Sequence, residues 1–180
     1  MDYMILLQAL YFILPAYFAN IAPVLVKRIN FLAYPVDFRK KLGGEPVFGS
    51  HKTWRGLFFA TLGGLLIFYL QQFFYKADIF TELSLIDYSS FPVWFGALLG
   101  FGAIFGDLVK SFFKRRFAIA PGKSWIPFDQ IDLVIGALVF SSFFYVPSLW
   151  IWIYLCLVTI PLHMIVKHIG YYSKISSQKW

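Results

Sequence analysis

Asp107, Lys110, Ser111 and Lys114 are spaced so that on a helix they share one face. Asp129 and Asp132, three apart, fall together on a second helical face a short distance along the chain. Carboxylates in that number suit a hard divalent cation such as magnesium, and ammonium groups beside them suit an anion, so phosphate with magnesium uses both. Zinc would favour Cys or His, yet Cys156 stands alone and His163 and His168 are five apart, off a common helical face. A plainer reading pairs these acids and lysines with one another, or places Asp129 and Asp132 at a positive helix N-terminus. That explains one acid well and three clustered acids poorly.

The surrounding chain makes the charge costly. Of its 180 residues, 59% are hydrophobic and 22% aromatic, and the mean hydropathy is +0.68, values beyond those of an ordinary soluble domain. We read an all-α integral membrane protein with a single membrane domain over 1–180 and five transmembrane helices, at about 5–26, 56–75, 91–109, 128–146 and 150–166. A re-entrant hairpin is the alternative for the fourth. Pro147, Ser148 and Leu149 then make a tight antiparallel connection between the last two. Charged residues at hydrocarbon depth each cost about 2.5–3.5 kcal/mol on insertion scales, so they mark cavities and ligand sites.

Basic residues set the orientation, because Lys-rich and Arg-rich loops stay in the cytoplasm. Of the 16 Lys and Arg residues, all but Lys76 lie in loops 27–55 and 110–127 or after the last span, where Lys167, Lys174 and Lys179 sit. The loop 76–90 carries Asp78, Glu82 and Asp87 instead. The N-terminus is therefore expected outside and the C-terminus in the cytoplasm, in a multi-pass protein of the cell membrane whose charged site faces the cytoplasm. The first segment reads as a retained helix, since no positive charge precedes it. Basic residues confined to short loops between spans argue against a nucleic-acid module.

Pro121 and Gly122 predict a turn presenting Lys123 and Ser124, and Pro127 a helix start. The loop 49–56, GSHKTWRG, frees backbone amides beside Lys52 and Arg55, which suits a polyphosphate without being a P-loop. Asn20 interrupts the first apolar span, either bonding a neighbouring helix or lining a cavity. Gly96, Gly100, Gly102 and Gly106 allow close helix approach, which turns Asp107 into the bundle.

Gly102, Gly106, Asp107, Ser111, Lys114 and Arg115, then Lys123, then the run from Pro127 to Asp132, resemble the signature of the CDP-diacylglycerol synthases, membrane cytidylyltransferases. With Asn20 and Pro23 in the first span and the 49–56 loop, the chain is most similar to their short archaeal branch, the CDP-archaeol synthases. The resemblance covers roughly 20–136. It departs in carrying Lys123-Ser124 for a Lys-Asp pair and Asp129-Gln130-Ile131-Asp132 for D-R-x-D, which leaves the number of metal ions open. The resemblance implies CTP and an unsaturated isoprenoid ether lipid phosphate, 2,3-bis-geranylgeranyl-glycerol 1-phosphate, as substrates. The residues then take roles. Asp107, Asp129 and Asp132 would hold Mg2+, while Lys114, Arg115 and Lys123 would neutralise the reacting phosphates. Lys52, Thr53, Arg55, Lys110, Ser111 and Asn20 would bind nucleotide, and Arg116 would act as a topology signal. A non-enzymatic carrier of a phosphorylated anion is the alternative, against which the absence of an internal repeat counts. A CDP-alcohol phosphotransferase would need a DGxxAR motif, which the chain lacks.

Overall fold

Long apolar runs without water to satisfy their backbone must be helical, and five helices carry the chain of the computed structural model, which describes residues 3–120 and 123–172. The expected Pro121–Gly122 turn and the tail lysines Lys174 and Lys179 lie outside the described residues. Helix α1 is Tyr3–Leu25, α2 Trp54–Lys76, α3 Trp94–Arg116, α4 Phe128–Ser141 and α5 Leu149–Tyr172. Thr53 caps α2 by accepting from the Gly56 amide at 3.2 Å. A small antiparallel hairpin, β1 Lys41–Leu42 and β2 Glu45–Pro46, interrupts the first long loop. Nothing in the hydropathy pattern announced it. Two single 3-10 turns, Thr81–Leu83 and Tyr88–Ser90, shape the 77–93 connection.

Four helices, α1, α2, α3 and α5, are long and apolar enough to cross a membrane. Helix α4 differs from the expectation of a span at 128–146. Its 14 residues rise only about 21 Å. At its end the Leu138 carbonyl accepts from the Ser142 amide at 3.1 Å and also from the Ser141 and Ser142 hydroxyls at 2.9 and 2.8 Å, local side-chain bonding of the kind that accompanies a helix terminus. The connection to α5 is consequently 142–148, longer than the three-residue turn expected. That non-helical stretch still reaches the start of α3, where the Phe144 ring meets Trp94 with centroids 5.0 Å apart. Helix α3 departs the other way. No breaker follows 109, so it runs on to Arg116 and carries Lys110, Lys114 and Arg115 on a helix rather than in a loop.

Glycines set how closely α3 is gripped. On one side Gly64 of α2 faces Gly96 and Gly100, where an added Cβ would come within 2.5 Å of the Gly96 carbonyl oxygen. On the other, a Cβ at Gly106 would lie 2.2 Å from the Asp132 carbonyl oxygen, and one at Gly136 lies 2.1 Å from that of Gly102. Small residues are the means by which membrane helices approach backbone to backbone. Around them Phe12, Phe68, Phe95, Leu99 and Leu138 are fully buried. Polar ties lock the remaining helices: Tyr17 and Thr159 hydroxyls are 2.6 Å apart between α1 and α5, and the Gln71 amide donates to the Tyr11 carbonyl at 2.6 Å.

The α3–α4 contact gives a direct test. Gly136→Ala forces a methyl into backbone with no flexible atom to yield, so it should cost about 1–3 kcal/mol, as overpacking does. Thermal unfolding in detergent, followed by circular dichroism, should show a Tm several degrees below the parent; an unchanged Tm would refute the close approach.

Candidate functional site

Because Gly102, Gly106 and Gly136 let α3 and α4 touch, the acid face of α4 meets the acid and lysine face of α3. The Lys110 ammonium lies 2.9 Å from Asp107, 3.0 Å from Asp129 and 2.9 Å from Asp132. One cation therefore gathers all three carboxylates. Lys52, arriving from the first loop, bonds the second oxygen of Asp107. Lys114 lies 2.9 and 3.0 Å from the two oxygens of Asp129. Three acids and three lysines thus neutralise one another where Asp107, Lys114 and Asp129 are at most 9% exposed, which is how charges persist at such depth.

The flanking chain is tied to the same network. Asp129 accepts from the Trp125 amide at 2.6 Å, and Lys114 donates to the Lys123 carbonyl at 2.5 Å. Two residues thereby hold the segment leading into α4. Lys123 itself joins through its backbone, and its side chain is exposed. Asp132 also accepts from the Leu133 amide at 2.7 Å.

Cavities open around this network. One of about 150 Å3 is lined by Gly49, Ser50, Lys52, Ser111, Lys114 and Arg115. Among the described residues the buried Nε of Arg115 has no hydrogen-bond partner, an unmet donor on its wall. A second, of about 220 Å3, joins Asn20, His51, Lys52, Thr53 and Asp107. A third, of about 390 Å3, is apolar and lies between α3 and α4, with Phe105, Val109, Phe113, Trp125 and Ile135 as walls and Lys110 and Asp132 as its charged groups. Phe105, Val109 and Ile135 are exposed on the bilayer-facing surface.

The structure therefore brings together Asp107, Lys110, Lys114, Asp129, Asp132 and Lys52, with Ser111, Arg115, Thr53 and Asn20 on the adjoining walls. Arg55 stands apart. Its guanidinium bonds the Ile29 carbonyl, and its amide donates to Leu32 at 2.7 Å, so it pins the start of the loop. Arg116, read as a topology signal, clamps the hairpin: it bonds the Leu42 carbonyl, donates to Pro46 at 2.8 Å and lies 5.2 Å from the Phe112 ring centroid. Sequence reasoning missed Asp37. Its carboxylate accepts from the amides of Arg39, Phe48 and Gly49 at 2.9, 3.0 and 3.1 Å and sets the fold of the loop. An aspartate ahead of a Gly-rich turn was its only signal.

Among the described residues no three acidic, His or Cys side chains form a ready metal cluster. The donor set is nonetheless all oxygen and aimed at one point, since each of the three carboxylates has an oxygen within 3.0 Å of the Lys110 ammonium. That chemistry fits magnesium.

Comparison with known proteins follows the same line. A family model described as CarS-like, CDP-archaeol synthase, matches residues 2–180. A CDP-archaeol synthase of Methanocaldococcus jannaschii is 34% identical, covering all of both chains. One from Pyrococcus furiosus is 41% identical over 76% of this chain and 75% of its own, and one from Archaeoglobus fulgidus is 32% identical over 98% of each. A solved structure of an intramembrane enzyme for archaeal membrane lipids biosynthesis superposes with a TM-score of 0.70 at 26% identity, over 88% of this chain and 91% of that one.

Asp37 supplies a pH test. Partial burial raises its carboxyl, but the amides of Phe48, Gly49 and Arg39 more than offset this and hold it below the ordinary carboxylate value. Its contribution to loop order is then complete above about pH 4 and lost as pH falls through the depressed value. Hydrogen exchange at the Phe48 and Gly49 amides should show protection that is flat from neutral pH to about 4 and reduced throughout in Asp37→Ala; equal protection in that variant would remove Asp37 from this role.

Proposed function

The chain belongs to the CDP-archaeol synthase family, and from that premise we infer that it is a CTP-dependent cytidylyltransferase of archaeal ether-lipid biosynthesis. A phosphate oxygen of the lipid attacks the α-phosphorus of CTP. The bond from that phosphorus to the β-phosphate bridging oxygen breaks, and pyrophosphate leaves as CDP-lipid forms. A lipid phosphate is already deprotonated near neutral pH, so neither a protein nucleophile nor a general base is needed, and positioning with charge neutralisation carries the catalysis.

The single observation that carries the residue assignment is the convergence of Asp107, Asp129 and Asp132 on one point, with the Arg115-lined cavity beside it. Asp107, Asp129 and Asp132 would hold Mg2+, which when bound supplies positive charge to the phosphates. Lys52, Lys110, Lys114 and Arg115 orient the triphosphate, with the Ser111 hydroxyl as a further donor. Lys123, exposed on the segment that Lys114 holds, would add a further cation for the phosphates. Asn20 and Thr53 line the neighbouring cavity, where the rest of the nucleotide fits. Arg55 serves by fixing the loop. Apolar walls on either side of α4, in the α3–α4 cavity and between α1 and α5, offer room for isoprenoid chain.

For the topology, we place the N-terminus outside and the C-terminus and site in the cytoplasm. The lysine-rich ends of α3 and α5 and the loop before α2 support this. Helix α4 with 142–146 would complete the fifth crossing, because Phe144 reaches the Trp94 end of α3. The carrier reading gains nothing from relatives that bear a synthase name.

Purified protein incubated with CTP, Mg2+ and the ether lipid phosphate should yield CDP-lipid and pyrophosphate by mass spectrometry. Asp107→Asn, Asp129→Asn and Asp132→Asn should each lower kcat by at least about 100-fold, the scale of lost transition-state electrostatics, in protein that remains folded. Full turnover in any one would remove that residue from the site. Lys114→Ala should chiefly raise KM for CTP; unchanged kinetics would reduce Lys114 to a structural tie for 123–129.

A further inference from the structure

Helix α4 has a second unfilled side. Leu133 opens onto a cavity of about 250 Å3 between α1, α4 and α5, lined also by Tyr17, Asn20, Thr159 and His163. Two of its apolar walls, Ile21 and Val166, are 40% and 47% exposed, so it opens sideways between α1 and α5, toward lipid rather than toward the loops. Asn20 is shared. The same residue lines the cavity that holds Lys52 and Asp107, and so stands between the bilayer opening and the ionic network.

An imidazole and an ammonium group mark this entrance. His163 and Lys167 lie one turn apart on α5, both partly buried, near enough to Lys110 and Asp129 for their charges to interact. Among the described residues neither forms an ion pair or a hydrogen bond, and the Asn20 amide has no partner either. The His163 imidazole and the Asn20 amide line the cavity and Lys167 follows Val166 at its edge, and uncommitted polar groups at a membrane-side cavity are costly unless a ligand uses them. The Tyr17 and Thr159 hydroxyls, by contrast, satisfy one another, so they form wall rather than contact.

We propose that His163 and Lys167 seat the acceptor: the phosphate monoester of the ether lipid enters between α1 and α5, its phosphate on these two groups, its glycerol oxygens on Asn20, its hydrocarbon along Ile21, Leu162 and Val166. This rests on the cytidylyl-transfer reading and adds to it the place of the nucleophile. Electrostatics chooses between the two bilayer openings. In the α3–α4 cavity a phosphate of about −1.5 to −2 charge would face Asp132, whose carboxylate shares the wall with a lysine already committed to three acids. On the α1–α5 side no acid lines the cavity, and the phosphate approaches the network from the side of Asn20, away from the cavity lined by Ser111 and Arg115 where the triphosphate sits. Nucleophile and leaving group are thereby separated across the carboxylates, as in-line displacement requires.

The test compares lipid and nucleotide parameters in the full-length protein. Lys167→Met and His163→Phe, which keep bulk and remove the polar group, should each raise KM for the lipid phosphate about tenfold or more, the signature of lost binding to one substrate. CTP affinity by calorimetry should be unchanged, which also certifies the fold, and Lys167→Arg should stay near the parent. Ile135→Trp, obstructing the α3–α4 cavity, serves as the counter-test. An unchanged lipid KM in both α5 variants, a lipid effect confined to Ile135→Trp, or an equal loss of CTP affinity would each overturn the proposal. Binding of a short-chain dialkylglycerol phosphate, followed by calorimetry without CTP, should weaken in Lys167→Met whether or not turnover occurs. A parent protein that binds this probe but makes no CDP-lipid would refute the reaction while leaving the site standing.

Discussion

One ammonium group bonded to three carboxylates organises this molecule. In a low-dielectric bundle neither Lys110 nor Asp107, Asp129 and Asp132 can stand alone, and each removed charge leaves its partners uncompensated. The fold is arranged so that none does. Bringing α4 to within reach of Lys110 requires backbone contact with α3, which Gly102, Gly106 and Gly136 permit by having no side chain to intervene. The glycines and the charges are therefore one design: closeness without the ion pairs would bury acids, and ion pairs without the closeness would not form.

The first long loop is built onto that centre rather than draped over it. Asp37 gathers three backbone amides, Arg55 fastens the beginning at Ile29, and Arg116 fastens the hairpin from the end of α3. With the loop so held, Lys52 reaches Asp107, and the amides of 48–50 form one wall of the cavity whose other wall is Ser111 and Arg115. The loop is thus ordered by side chains bonding to backbone, together with ring contacts such as Phe31 on Phe58 and Phe48 on Phe112. Phosphate-sized space results beside the carboxylates, with apolar cavities below it on two sides of α4.

Much of this was legible beforehand, and for identifiable reasons. The shared face of Asp107, Lys110, Ser111 and Lys114 follows from helical period alone, and so does the pairing of Asp129 with Asp132. What hydropathy misjudged were ends. It closed the third helix at 109 because charge begins there, whereas helix formation needs only the absence of a breaker, and α3 continues to Arg116. It ran the fourth to 146, whereas α4 ends at Ser141, where the Ser141 and Ser142 hydroxyls join the backbone in bonding the Leu138 carbonyl. Residues at long sequence distance were judged by neighbourhood and so misplaced: Arg55 was grouped with its motif though it turns to Ile29, and Arg116 was reckoned as loop charge though it binds a hairpin 70 or more positions earlier.

The sequence by itself determined the solvent, the helical class, the cytoplasmic placement expected of the basic loops and the residue types of the site. These depend on composition and on local periodicity, which the chain carries in every window. Only the tertiary structure decided that the acids meet one lysine, that Asn20 lines two cavities, and that His163, read in sequence only as no partner for His168, and Lys167, read only as a topology charge, stand beside the network. Those facts depend on which faces of α1, α3, α4 and α5 oppose one another, a matter of packing between segments, and no periodicity within a segment encodes it.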